Sequence, residues 1–206
     1  MSDKPAVTGA VLALWNDVTP ELDAEYNDWH ANEHVPERLS VPGMLWGRRY
    51  RHVGGAAAPR YLTIYGMQDA EVLESDAYRL LLDRPTPMSA RMRPHLGNVS
   101  RWVCEVREMH ELGTASGLSV WTFDSGQITG ACATGRAGCN HGLLLARRLP
   151  QASPLPWLKG GQARSIEGSW LLALGRSDEA AAEIRPIPGA LIYAPLAVGR
   201  TSGSAP

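Results

Sequence analysis

The order of the predicted strands and helices indicates an α+β fold built from two ferredoxin-like units in one chain. Residues 1–113 read as strand, helix, strand, strand, helix, strand, which is the β-α-β-β-α-β order of such a unit. Residues 114–206 repeat this strand order. Two units of this kind can pack their sheets into a barrel that leaves cavities between sheet and helices. We therefore expect an intrachain barrel with a first domain at 1–113 and a second at 114–206.

The first unit has strong local signals for each of its elements. Its predicted strands are 6–18, 44–53, 60–67 and 99–109. Thr19 and Pro20 suit the start of the first helix, as a capping hydroxyl and a proline at the first helical position. Pro36 disfavours a helical conformation at Val35, so we expect this helix to end or kink there. A second helix is predicted to begin at Asp69.

The second unit is a degenerate copy of the first. Trp121 in LSVWTFDS matches Trp15 in VLALWNDV, and Gly175 matches Gly66 in the third strand of each unit. Where the first unit has a histidine-bearing helix, the second has residues 126–142, which are rich in glycine and poor in helix propensity. We therefore expect the chain to carry one site, in its first unit.

Titratable and aromatic side chains are concentrated in residues 26–50, on one helix, one turn and one strand. On a 3.6-residue period, Tyr26 and Trp29 share one face of the helix with Glu33. The adjoining flank carries His30, His34 and Glu37. The aromatic stripe is typical of a core-facing helix, so we expect Trp29 to be buried. Two histidines one turn apart, beside two glutamates, indicate a functional site more strongly than a lone histidine does.

Two strand residues complete the candidate site. Arg48 and Arg49 point to opposite faces of a strand, so only one of them can reach the cavity beside the helix. Tyr65 lies on the third strand and is a candidate for the cavity wall, although core packing explains it equally well.

Composition excludes several classes of function. The chain has 206 residues, a formal net charge of −1 and no Lys/Arg-rich run, which argues against a nucleic-acid or anionic-membrane surface. No apolar stretch reaches the length of a membrane span, and the first apolar run lacks the basic flank of a signal peptide. Three cysteines, an odd number without a CxxC pattern, predict reduced thiols and a cytoplasmic location.

The sequence YNDWHANEHVPERLSVPGMLWGRRY, residues 26–50, resembles the EthD-like members of the dimeric α/β-barrel superfamily. The shared features are a Tyr/Trp-rich first helix, a segment with histidines and acids, and a Pro-Gly turn into an Arg-Tyr strand. The resemblance covers roughly residues 7–110; only strand order supports it beyond them. It implies a ferredoxin-like barrel with a small organic ligand, often aromatic or polyketide-like. The usual family member is a single-domain homodimer, and a homodimer stays possible here.

The superfamily does not select one reaction, because the resemblance implies cofactor-independent cyclases, isomerases, decarboxylases and monooxygenases as well as haem proteins. A metal site is a further alternative. His30, Glu33 and His34 match the H-x-x-E-H pattern of inverted zinc peptidases. A peptidase would also need a ligand glutamate on a long downstream helix, which the chain does not clearly offer. We therefore predict no metal site and no required cofactor, with haem or a divalent metal as alternatives.

The leading hypothesis is a cofactor-independent enzyme that acts on a small carbonyl-bearing or phenolic metabolite, of the isomerase, cyclase or lyase (decarboxylase) type. Histidine is a base near neutral pH, so kcat/KM should rise through roughly pH 6–7. The alternatives are a cofactor-free or haem-using oxygenase and a non-catalytic protein that binds a small molecule. The predicted roles are His30 or His34 as the base, Glu33 or Glu37 as its orienting partner, Arg49 or Tyr65 as the stabiliser of oxyanion charge, and Tyr26 and Trp29 as substrate-binding residues.

Overall fold

Apolar segments rich in valine, leucine and aromatic residues form the strands of the structure, a computed structural model that describes residues 7–54, 58–110, 112, 115–127, 142–150, 155–176 and 189–198. Within these ranges the strands are β1 (Ala10–Val18), β2 (Met44–His52), β3 (Tyr61–Met67), β4 (Leu96–His110), β5 (Gly117–Phe123), β6 (Leu143–Arg148), β7 (Trp170–Arg176) and β8 (Leu191–Leu196). The α-helices are α1 (Asp23–Trp29), α2 (Val35–Leu39), α3 (Asp76–Asp83) and α4 (Pro87–Met92). A π-helical turn, His30–His34, joins α1 to α2, and 3-10 segments lie at Pro20–Leu22, Ala70–Glu74, Arg93–His95 and Ser125–Gln127.

The strands close into one antiparallel barrel in the order β1-β3-β2-β8-β5-β7-β6-β4. The first unit contributes β4-β1-β3-β2 and the second contributes β8-β5-β7-β6, so both have the same strand order. Two junctions join them, β2 with β8 and β4 with β6. The predicted α+β fold, with two ferredoxin-like sheets in one intrachain barrel, is confirmed. The proposed boundary between 113 and 114 falls on residues outside the described ranges and stays a prediction.

Side chains alternate between the two faces of each strand, and those that point into the barrel include large apolar residues. Trp15 and Trp102 meet edge to face in the interior, with ring centroids 5.7 Å apart. The predicted match of Trp15 with Trp121 is wrong, because Trp121 pairs with Leu172 and packs on the outer face of the barrel. A shift of one residue reverses the face of every side chain in a strand. The matched glycines of the third strands do hold equivalent positions, each opposite an interior residue of the first strand.

The first helix continues past Pro36 to Leu39, so the predicted end at Val35 is wrong, while the alternative of a kink there stays a prediction. The backbone N–H of Val35 donates to the carbonyl of His30, five residues earlier, which is the hydrogen bond of a π turn. This wider turn brings Pro36 into the first turn of α2, where the missing N–H of proline costs least.

The helix predicted to begin at Asp69 consists of two parts, a 3-10 segment followed by an α-helix. The carboxylate of Asp69 caps a 3-10 segment by accepting from the N–H groups of Glu71 and Val72, at 2.9 and 3.2 Å. The α-helix itself begins only after Ser75, whose hydroxyl accepts from the Tyr78 N–H. No helix in the described part of the chain is long and apolar enough to cross a membrane. Most of the glycine-rich stretch 126–142, like two of the three cysteines, lies outside the described residues.

Candidate functional site

A partly open cavity lies between the first helix, the outer face of the first sheet and a loop from the second half of the chain. The empty volume of the cavity, counted out to its open mouth, is about 570 Å³. The part of this volume in which the centre of a water molecule fits is only about 50 Å³. The space is therefore narrow, suited to a flat single-ring molecule. Its lining residues are Leu14, Trp15, Asn16, Tyr26, Trp29, His30, His34, Arg38, Tyr78, Leu82, Arg93, Leu96, Val99, Leu155 and Trp157.

Four predicted site residues on the first helix form a packed row of rings along this cavity. The ring centroids are 5.1 Å apart for Tyr26 and His30, 5.0 Å for His30 and His34, and 4.6 Å for Trp29 and His34. Trp29 is 3% exposed, which confirms its predicted burial, and its indole N–H donates to the Ser89 hydroxyl at 3.3 Å. The helix therefore presents its two imidazoles on an ordered aromatic wall.

Both imidazoles are neutral at physiological pH. Burial lowers the pKa of His30 well below its usual 6.5, and the charges of Arg49 and Arg38 lower it further. Burial and Arg38 do the same to the pKa of His34. The Nδ1 atom of each ring is sealed from solvent and has no hydrogen-bond partner within the described residues. Two unprotonated imidazoles therefore face a cavity with free hydrogen-bonding capacity.

The predicted orienting glutamates lie beside the cavity and are not among its lining residues. The Oε2 atom of Glu37 is 3.9 Å from His34 Nδ1, too far for a hydrogen bond. Burial raises the pKa of Glu37. Glu33 instead accepts a short hydrogen bond from the hydroxyl of Thr86, at the start of α4. Of the two, Glu37 has the better position to orient a histidine.

The two strand residues predicted to stabilise oxyanion charge also lie away from the cavity lining. Arg49 is 4% exposed and donates to the backbone carbonyl and side-chain oxygen of Asn27, at 3.3 and 2.8 Å. Arg48 lies over the Trp46 ring instead, so one of the adjacent arginines contacts the helix and neither of them lines the cavity. Tyr65 is 1% exposed, and its hydroxyl has no partner among the described residues. Burial raises the Tyr65 pKa, so the phenol stays protonated.

A polar network supports the helix from behind the aromatic row. Tyr26 donates to the side-chain oxygen of Asn16 at 3.1 Å. Asp23 accepts from the Tyr61 hydroxyl and from Arg60, both at 2.6 Å, and Asn27 donates to the Tyr61 hydroxyl at 2.7 Å. These bonds fix the start of α1 on β1 and β3, which holds the row of rings in place.

Sequence reasoning missed several of the lining residues. Arg38 could have been found, because His30, His34 and Arg38 are four residues apart and share one helix face. Arg93 and Trp157 gave no such signal, since they come from a 3-10 segment and from a loop of the second half. That loop is held in place by Gln162, whose side chain donates to the backbone carbonyls of residues 93, 94 and 96. The second unit therefore contributes to the cavity.

The cavity does not fit a haem, because a space this narrow cannot hold a porphyrin beside the aromatic row. Among the described residues no group of three or more His, Cys, Asp or Glu side chains is arranged to bind a metal ion. No step below is therefore assigned to either group.

Comparison with solved structures supports the fold over nearly the whole chain. An anthrone oxidase-like protein aligns with 14% identity and a TM-score of 0.56, over 91% of this chain and 90% of its own. A candidate monooxygenase of Fusobacterium nucleatum subsp. nucleatum aligns with 9% identity and a TM-score of 0.56, over 96% and 97%. A candidate chlorite dismutase gives 11% identity and a TM-score of 0.50, over 92% and 96%.

These likenesses show the dimeric α/β-barrel fold, as the resemblance in sequence implied. No protein-family model matches the chain. No curated protein matches its sequence either. At identities this low the neighbours establish the fold alone, and the EthD-like subtype stays a prediction.

Proposed function

We propose that this chain, which has the fold of the dimeric α/β-barrel proteins, is a small-molecule enzyme that removes a proton from its substrate with a neutral histidine. The observation that supports this most directly is the pair of unprotonated imidazoles in one cavity wall. A general base must be unprotonated and within reach of the proton it accepts. Burial keeps His30 and His34 neutral, and both line the cavity that a substrate would enter.

His34 is the better candidate for the base. His34 is partly exposed, whereas His30 is buried and is enclosed by other rings. The Glu37 carboxylate is 3.9 Å from His34 and would stabilise the imidazolium that forms when the proton is taken. Catalytic hydrogen bonds are often long in the absence of substrate and shorten when it binds. His30 then acts as a positioning residue, through its ring contact with His34.

The shape and charge of the cavity favour a flat substrate with an acidic C–H or phenolic O–H bond. Tyr26, Trp29 and Trp157 supply aromatic surface for a ring. When the proton moves to His34, the electron pair stays on the substrate as an enolate or phenolate. The positive field of Arg38 and Arg93 stabilises this anion. Return of the proton to another atom of the substrate completes an isomerisation. Attack of the enolate on a carbonyl carbon of the same molecule, with protonation of the resulting alkoxide by the His34 imidazolium, completes a cyclisation. Expulsion of a leaving group β to the carbanion, with protonation of that group by the same imidazolium, completes a lyase reaction.

A cofactor-free oxygenase is the second candidate, favoured by the names of two structural neighbours, an anthrone oxidase-like protein and a candidate monooxygenase. It begins with the same proton transfer, because a carbanion or phenolate is the form of an aromatic substrate that dioxygen oxidises. The two candidates separate at the next step. Only the oxygenase consumes dioxygen in proportion to substrate.

The test is hydrogen exchange followed by NMR in D₂O, with acetophenones, 1,3-diketones and substituted phenols as the panel and an oxygen electrode in parallel. We expect the protein to catalyse exchange at an acidic C–H of at least one compound, and His34→Gln to lower the rate by about 10²–10⁴-fold. His110→Gln is the matched control, because this histidine is exposed and far from the cavity lining. Near-normal exchange in both His30→Gln and His34→Gln would contradict the proposal. Saturable binding without exchange or oxygen uptake would indicate a binding protein instead.

A further inference from the structure

The charged side chains that line the cavity are all positive. Its lining residues include two arginines, Arg38 and Arg93, and no aspartate or glutamate. The two histidines of the wall are neutral, so they neither add to this positive charge nor offset it. The described wall therefore carries a formal charge of two positive units in a largely aromatic setting.

The two arginines differ in what they already bind. Arg93 donates to the backbone carbonyls of Leu82 and Leu81, at 3.0 and 3.2 Å, and so caps the end of α3. Arg38 is 5% exposed, and its Nη1 atom is sealed from solvent without a partner in the described part of the chain. Its guanidinium lies over the Tyr78 ring at 5.5 Å. Arg93 has a structural role, whereas Arg38 has hydrogen-bonding capacity to spare.

The adjacent Glu37 carboxylate interacts with the charge of Arg38 but forms no ion pair with it among the described residues. Successive side chains on a helix point about 100° apart, so the two leave the helix in different directions. No carboxylate oxygen of the described residues lies within ion-pair distance of Arg38, and the sealed Oε2 atom of Glu37 has no hydrogen-bond partner either. A buried guanidinium without a counter-charge is costly, and the cost falls when an anion binds beside it.

We propose that the substrate of this cavity is an organic acid whose carboxylate binds Arg38. The planar guanidinium matches a carboxylate with two parallel hydrogen bonds, and the flat part of the molecule lies along Tyr26 and Trp29. The inference rests on the proposed function, since it names the substrate class of the same cavity. The carboxylate is the anchor, and the proton leaves from another position on the same molecule, within reach of His34.

The test measures binding without chemistry, with matched acid and amide pairs as probes: acetate and acetamide, benzoate and benzamide. Titration is followed by calorimetry and by tryptophan fluorescence, because Trp29 and Trp157 line the cavity. We expect a carboxylate to bind roughly tenfold to a hundredfold more tightly than its amide. Arg38→Met should abolish that preference, and Arg38→Lys should keep only part of it because lysine lacks the planar fork.

Arg91→Met is the matched control, because Arg91 pairs with Glu25 on the surface, and it should keep the full preference. Thermal unfolding of each variant establishes that it is folded before it is titrated. Equal affinity for acids and amides in the wild-type chain, or an unchanged preference in folded Arg38→Met, would overturn the inference. Either result leaves the hydrogen-exchange test of His34 intact, so the two failures are distinguishable.

Discussion

At the scale of single residues, environment decides what the two central histidines can do. The sequence predicted a histidine base that titrates near pH 6–7. The structure places three buried arginines, Arg38, Arg49 and Arg93, around the pair, and Glu37 too far for a hydrogen bond. Burial and positive charge therefore lower the pKa of both rings. We expect kcat/KM to stay level through pH 6–7 and to fall only in more acidic solution.

The same shift makes stability depend on pH. The folded pKa of His34 lies well below its usual 6.5, so in acid the unfolded chain binds a proton that the folded chain does not. Stability is therefore fully present above about pH 6.5 and is lost as pH falls towards the folded pKa, by at most about 1.4 kcal/mol per pH unit for each histidine. Urea unfolding at pH 7.5 and pH 5.5 measures this loss.

His34→Gln should lose less stability between those two pH values than the wild type does. His110→Gln is the control for loss of a histidine outside the cavity, because this side chain is exposed and is not among the lining residues. An equal pH dependence in wild type and His34→Gln would show that His34 is protonated in the folded state.

At the scale of secondary-structure elements, local sequence signals predicted which segments are helices and strands better than they predicted the boundaries and hydrogen bonding of those elements. The i, i+4 spacing of residues 30, 34 and 38 is sufficient to put all three on the helix face that lines the cavity. The π turn depends on the hydrogen bond from Val35 to His30, which the proline rule alone does not foresee. Trp157 enters from a loop distant in sequence and could be placed only by tertiary structure.

Close packing between β2 and β3 gives a test at this scale. A Cβ atom added at Gly66 would lie 2.1 Å from the ring of Trp46, and the indole N–H of Trp46 donates to the Thr8 hydroxyl at 3.0 Å. The ring cannot move away without breaking that bond, so Gly66→Ala should destabilise the chain by about 1–3 kcal/mol, as overpacking does. Chemical denaturation monitored by circular dichroism measures the change.

Gly97→Ala in β4 is the matched control, since nothing lies within 4 Å of its added Cβ atom. We expect it to be neutral or slightly stabilising. If both alanine variants unfold at the same denaturant concentration, the packing of Trp46 against Gly66 does accommodate a Cβ atom at position 66, and the prediction is wrong.

At the scale of the whole molecule, strand order was predictable because each ferredoxin-like unit has only one order compatible with its crossovers. The register of matched strands, that is, which of their residues hold equivalent positions, was not predictable. Trp15 and Trp121 look equivalent in sequence, yet one is inside the barrel and the other outside. Only hydrogen-bonded pairing across the sheet fixes which face a side chain takes.

Closure of one barrel by both units predicts that they unfold together. Tyr193, on the last strand, is fully buried in the core that also holds Trp15 and Trp102 of the first unit. Tyr193→Ala should therefore lower the free energy of unfolding by about 3–5 kcal/mol. It should also shift the whole transition, with tryptophan emission and far-ultraviolet circular dichroism giving the same midpoint.

Tyr193→Phe separates packing from hydrogen bonding. The Tyr193 hydroxyl is buried and approaches the Trp15 indole without forming a hydrogen bond of normal geometry, so its removal should change stability much less than removal of the whole ring. Two separate transitions in Tyr193→Ala, one for each half, would show that the units are independently stable. A single transition in all three proteins is expected, because the β2–β8 and β4–β6 ladders leave neither sheet with a free edge in the described chain.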